Sequence, residues 1–117
     1  MKNIQLLCKS CRVGLTGILT VVPEFQLKWK PGYDILEDKE AVVHLNYKNS
    51  VLTNLDDEKL IDHCDSGRFS GCCGSSGSSG VNKLCKNGHE VATESSDCCT
   101  SNYLHFSLDH IIIKEIL

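Results

Sequence analysis

Apolar and polar residues alternate with a period of two over much of this chain, the spacing of a half-buried β-strand. Leu15 to Val22 is rich in β-branched and apolar residues and stops at Pro23. Phe25, Leu27 and Trp29 then alternate with Gln26, Lys28 and Lys30, which places the three apolar groups on one strand face, and Pro31-Gly32 reads as a turn. From Ala41 to Tyr47, Val43, Leu45 and Tyr47 share one side, with Val42, His44 and Asn46 on the other. The pattern breaks near Asn54. There Asp56, Asp57 and Glu58 suit a helix amino terminus and Leu55, Leu60 and Ile61 fit a helical face, with Gly67 as a stop. Strand character returns at Val91–Thr93, Tyr103–Leu108 and Ile111–Ile116. The expected fold is α+β and mostly β: a small antiparallel sheet, one short helix and a cysteine-rich, metal-anchored loop. It is expected as a single domain, with a knuckle and strands over 1–54, the helix over 55–62, the loop over 63–99 and strands over 100–117.

Composition narrows the class. The chain has 117 residues, 41% hydrophobic and 23% charged, with a net charge of -3. That is the profile of a globular domain with a modest core. No stretch approaches the roughly 18 apolar residues of a membrane-spanning helix, and no basic face marks a nucleic-acid partner. No small-molecule substrate is evident. Met1-Lys2 leads into Cys8 without the apolar run of a secretory signal, so the expected compartment is the reducing cytoplasm.

Sulfur changes the picture most. Eight cysteines include a C-x-x-C at Cys8 and Cys11, vicinal pairs at Cys72-Cys73 and Cys98-Cys99, and single residues at Cys64 and Cys85. In a reducing compartment, thiolates at this density bind metal rather than pair, and zinc takes four such ligands at a tetrahedron. A C-x-x-C turn supplies two of them. Cys85-Lys86-Asn87-Gly88-His89 is a second loop able to bend like a knuckle, and Cys98 lies far enough beyond to close the site. Cys8, Cys11, Cys85 and Cys98 are therefore the first-choice ligands, with Cys73 and Cys72 next and His89 and His63 behind them. Cys64 and Cys99 fit equally as small buried hydrophobes. His44, His105 and His110 sit in or beside strands and read as structural.

The run Arg68-Phe69-Ser70-Gly71-Cys72-Cys73-Gly74, followed by Gly77, Gly80, Asn82, Cys85, Gly88, Glu90-Val91-Ala92-Thr93 and Asp97-Cys98, resembles a block found in small, uncharacterised bacterial cysteine-rich proteins of zinc-binding type. The resemblance covers about a quarter of the chain. It implies that the linker-like Gly74–Gly80 segment is a native loop, and it carries no activity with it. Relatives often have a cysteine where this chain has Asn87 and an aromatic residue where it has Cys99.

The chain contains no H-E-x-x-H, no zinc-deaminase pattern, no nucleophile elbow and no phosphate loop. The reading that follows is a non-enzymatic zinc protein whose metal is structural and which acts by binding another protein. One concrete form is an immunity protein that neutralises a toxin domain. The alternatives are a thiol or metal redox sensor, suggested by the vicinal cysteines, and a small zinc-dependent hydrolase.

Overall fold

A computed structural model describes residues 2–29, 33–37, 39–44, 49–54, 60–69, 80–96 and 101–116. They form one nine-stranded sheet: β1 (Asn3–Cys8), β2 (Leu19–Val21), β3 (Glu40–His44), β4 (Ser50–Thr53), β5 (Ile61–Asp62), β6 (Lys83–Leu84), β7 (Glu90–Ser95), β8 (Tyr103–Ser107) and β9 (Ile111–Ile116). The spatial order is β5-β6-β7-β8-β4-β3-β2-β1-β9, and the sheet curls into a half-barrel.

The α+β expectation is corrected to a nearly all-β architecture. Among the described residues the only helical pieces are two short 3-10 turns, Glu24–Gln26 and Ser66–Phe69. Ile61 and Asp62, expected to close the helix over 55–62, are instead strand β5, paired with Leu84 and Lys83; residues 55–59 lie outside the described residues. The physical reason is edge pairing. A two-residue strand gains its hydrogen bonds from β6, and no local periodicity in so short a piece distinguishes it from helix. The sheet is also not wholly antiparallel, because β2 and β3 run parallel through Thr20↔Glu40 and Val21↔Ala41. A parallel pair needs a crossover, and its described residues, 22–29 and 33–37, include Val22, Leu27, Ile35 and Leu36 packed on one face of the sheet.

That crossover explains a second departure. Phe25, Leu27 and Trp29 do not share a strand face. Pro23, with its fixed φ and missing N–H, starts a 3-10 turn in which Gln26 N–H donates to Pro23 O and Leu27 N–H to Glu24 O, both at 3.0 Å. The turn rotates Phe25 outward and Leu27 inward. The segment is held down by Lys28 N–H to Ile35 O (3.0 Å), Asn102 N–H to Tyr33 O (2.7 Å) and the buried Asn54 Nδ2 to Leu36 O (2.7 Å).

Strand alternation then divides the core. Ile4, Leu6, Val51, Val91, Leu104 and Phe106 fill the concave side. Val42 and Leu52, one residue out of phase with Val43 and Val51, face the other side and pack under Val22, Ile35 and Leu36 of the crossover. All four residues of β4 are buried, as befits a central strand covered on both faces. In β9 it is Ile111, not Ile112, that reaches full burial.

Candidate metal centre

β1 and β6 lie six positions apart in the sheet order, yet the curl brings their ends together. At the end of β1 the chain reverses at once. Cys8 N–H donates to Val13 O (2.9 Å), Arg12 N–H donates to Cys8 O (2.7 Å), and Arg12 takes a left-handed φ of 64°. This knuckle places Cys8 and Cys11 on one side. The β6–β7 hairpin makes the second: Cys85 N–H donates to His89 O and Gly88 N–H to Cys85 O, both at 2.9 Å. Gly88 has φ +88°, a conformation that strains any residue with a Cβ.

The two knuckles face each other. Cys8, Cys11 and Cys85 Sγ and a ring nitrogen of His89 all lie within 4.8 Å of one another. Cys11 Sγ is 3.7 Å from Cys85 Sγ, and His89 Nδ1 is 3.7 Å from Cys8 Sγ and 3.4 Å from Cys85 Sγ. Zinc bonds of ~2.3 Å to sulfur and ~2.05 Å to nitrogen at tetrahedral angles imply edges of about 3.8 Å between sulfurs and about 3.6 Å between sulfur and nitrogen. Three of the six edges lie close to those values and the other three are within 4.8 Å, so this Cys3His group could hold a metal ion.

The electrostatics are asymmetric. Burial pushes the Cys8 thiol up, with the neighbouring Cys11 and Cys85 sulfurs adding to the effect and backbone N–H donors from Cys11 and Ser10 opposing it. Cys11 is half-exposed and moves the other way, lowered to about 6, chiefly because Asn87 Nδ2 donates to its sulfur at 3.3 Å. An amide donor on a ligating thiolate stabilises the anion that a metal needs. Asn87 therefore supports the cluster from the opposite knuckle.

Of the sequence candidates, Cys8, Cys11 and Cys85 come together, and His89 completes their set of four. Cys72, Cys73 and Cys98, with Cys99, lie outside the described residues. Cys64 is exposed and belongs to no group of metal-ligating side chains among the described residues. His63 is held away from the centre: its Nδ1 accepts Asp65 N–H at 2.9 Å, which fixes the proton on Nε2, and Nε2 donates to Glu90 at 3.1 Å.

Sequence reasoning missed two polar anchors beside the site. Buried Asn82 donates to Arg68 O (3.3 Å) and Glu94 O (3.1 Å) and accepts Glu94 N–H (2.6 Å), tying the Ser66–Phe69 turn to β7. Lys83 is buried with its ammonium on Asp62 (2.6 Å) and Glu94 (3.1 Å). Neither residue type at a strand position announces burial, and only the pairing of β5, β6 and β7 shows it. Among the described residues, no helix is long and apolar enough to cross a membrane. Compared with known proteins, the chain matches no family model, no curated protein and no solved structure.

Proposed function

We propose that this chain is a cytoplasmic zinc protein without catalytic activity, whose metal is structural and whose work is to present a metal-closed sheet to a protein partner. The observation that carries the reading is the convergence of four protein ligand atoms within 4.8 Å. Structural zinc sites use four protein ligands, whereas catalytic ones keep a position for water or substrate. Three sulfurs and one imidazole suit zinc better than magnesium or calcium, which select oxygen. Thiolate ligation persists in a reducing compartment. The partner side of the proposal rests on aromatic groups left exposed on the face opposite the metal, Phe25, Trp29 and Tyr33. Aromatic residues of this kind are enriched in protein interfaces. A toxin domain blocked at its active site is the concrete partner under this reading.

The test is elemental analysis of protein purified without chelators, together with thiol counting. Close to one zinc per chain is expected, and removing it should raise the number of rapidly titrating thiols by three. A folded, metal-free protein whose thiols all titrate from the start would overturn the proposal.

A further inference from the structure

Three of the five large hydrophobic side chains exposed among the described residues sit on the β2–β3 crossover: Phe25 (85% exposed), Trp29 (58%) and Tyr33 (58%). Trp29 is held edge-on against Tyr103, with centroids 5.5 Å apart and planes at 87°. Phe25 stands beside a groove of about 320 Å³ whose floor is Leu27 and Leu36 and whose rim carries Lys28, Glu37 and Glu40. That volume is at the small end of ligand pockets, which run roughly 300–1,000 Å³. It suits a side chain rather than a cofactor. The rim is acidic in effect. Lys28 reaches Glu37 only at 3.9 Å with both side chains well exposed, and one oxygen of Glu40 accepts Glu37 N–H at 3.1 Å.

We infer that this groove receives an arginine side chain from a protein partner. The inference rests on the protein-binding reading above and gives that partner its chemistry. The guanidinium meets the Glu37 and Glu40 carboxylates, where a planar fork of donors pairs with two acceptors. Its face lies against the Phe25 ring as a cation–π contact. The aliphatic stem covers Leu27 and Leu36. Arginine seated against an aromatic in a small pocket is a recurrent interface hot spot. A lysine would gain the charge term but lose the fork and the stacking. Anionic lipid headgroups would be repelled by the same carboxylates.

The experiment is an amide-resolved NMR titration of the zinc-loaded chain with N-acetyl-arginine methylamide, run beside the lysine and glutamate analogues. Shifts confined to Phe25, Leu27, Leu36, Glu37 and Glu40 are expected, with arginine at least threefold tighter than lysine and no response to glutamate. Phe25→Ala, and Glu37→Gln with Glu40→Gln, should each weaken arginine binding at least fivefold while zinc content and melting temperature stay unchanged. Scattered shifts, equal response to lysine, or binding that survives these substitutions would overturn the inference. Sedimentation checks a second copy as occupant: a concentration-dependent dimer lost in Arg12→Ala would show the groove taking its own chain's arginine and would overturn a foreign partner. Arginine binding by a folded chain without zinc would leave the groove intact while removing the metal reading, so the two fail separately.

Discussion

Cys85 is fully buried after β6, with its sulfur 3.7 Å from Cys11 Sγ and 3.4 Å from His89 Nδ1. Structural zinc contributes on the order of 10 kcal/mol to folding in peptide systems, comparable to the ~5–15 kcal/mol total of an ordinary domain. If the cluster holds zinc as proposed, Cys85→Ser should unfold the chain or lower its melting temperature sharply. Cys64→Ser, at an exposed thiol outside the cluster, should stay within about 0.5 kcal/mol of the parent. Thermal melts of the pair separate ligand loss from general sensitivity to thiol replacement. Gly88 offers a subtler check. A Cβ there meets nothing within 4 Å, so crowding is not the issue, but φ +88° is. Gly88→Ala should cost about 1–2 kcal/mol through backbone strain alone and loosen the knuckle that aims His89. Denaturant melts with a parallel zinc-competition assay would read both effects.

At the level of elements, β4 holds the molecule together, because Val51 pairs with Phe106 of β8 and Val43 of β3 on the concave side while Leu52 closes the opposite core. Phe106→Ala should cost about 3–5 kcal/mol as a buried aromatic truncation. Ile112→Ala, one residue out of phase with buried Ile111, should cost clearly less; equal losses in chemical denaturation would mean the β9 register is wrong. The small strands β5 and β6 depend on charge as well as pairing. Removing Lys83 would strand two carboxylates, and breaking a fully buried ion pair costs about 3–5 kcal/mol. Asp62, however, keeps 69% of its side chain exposed and can rehydrate. Lys83→Ala is accordingly expected near 2–3 kcal/mol, with loss of amide protection concentrated in β5 and β6 by hydrogen exchange.

On the scale of the whole molecule, an ion held by the Cys3His cluster would act as a staple across the curl. It would join residues 8–11 to 85–89, on strands that the hydrogen-bond ladder separates by β7, β8, β4, β3 and β2. Chelation should consequently release β1 and the β6–β7 hairpin before the central β3–β4–β8 strands, visible as early loss of exchange protection at the two knuckles. Acid should act in the same direction. The ligand thiols bind metal only as thiolates, so falling pH lets protons compete and weakens binding, whereas rising pH strengthens it. Zinc release followed with a chromogenic indicator from pH 8 down to pH 4 should increase monotonically, and release that grew toward high pH would contradict thiolate ligation.

Local chemistry was legible in the residues themselves. The C-x-x-C at Cys8 and Cys11, the glycine-hinged Cys85-Lys86-Asn87-Gly88-His89 loop, the alternation through Tyr103–Ser107 and the β-branched run at Ile111–Ile113 each need only a few neighbouring side chains to specify a knuckle or a strand. That the C-x-x-C meets the Cys85 loop, 74 residues away from Cys11, was legible from ligand chemistry alone, whereas the choice of His89 for this cluster was not, because no periodicity spans that distance. His89 is the fourth member of the described cluster because the hairpin turn aims its Nδ1 back at Cys85 and Cys8. The crossover misled for a related reason. Phe25, Leu27 and Trp29 alternate as a strand would, but a parallel β2–β3 pair obliges the chain to leave the sheet and pass over its face. Pro23 turns it there, sending Leu27 into the core and Phe25 into solvent. Pattern determined the strands with clear alternation and the two knuckles; the curl of the sheet, a property of all nine strands together, decided the rest, including which side chains meet across it and which are left facing out.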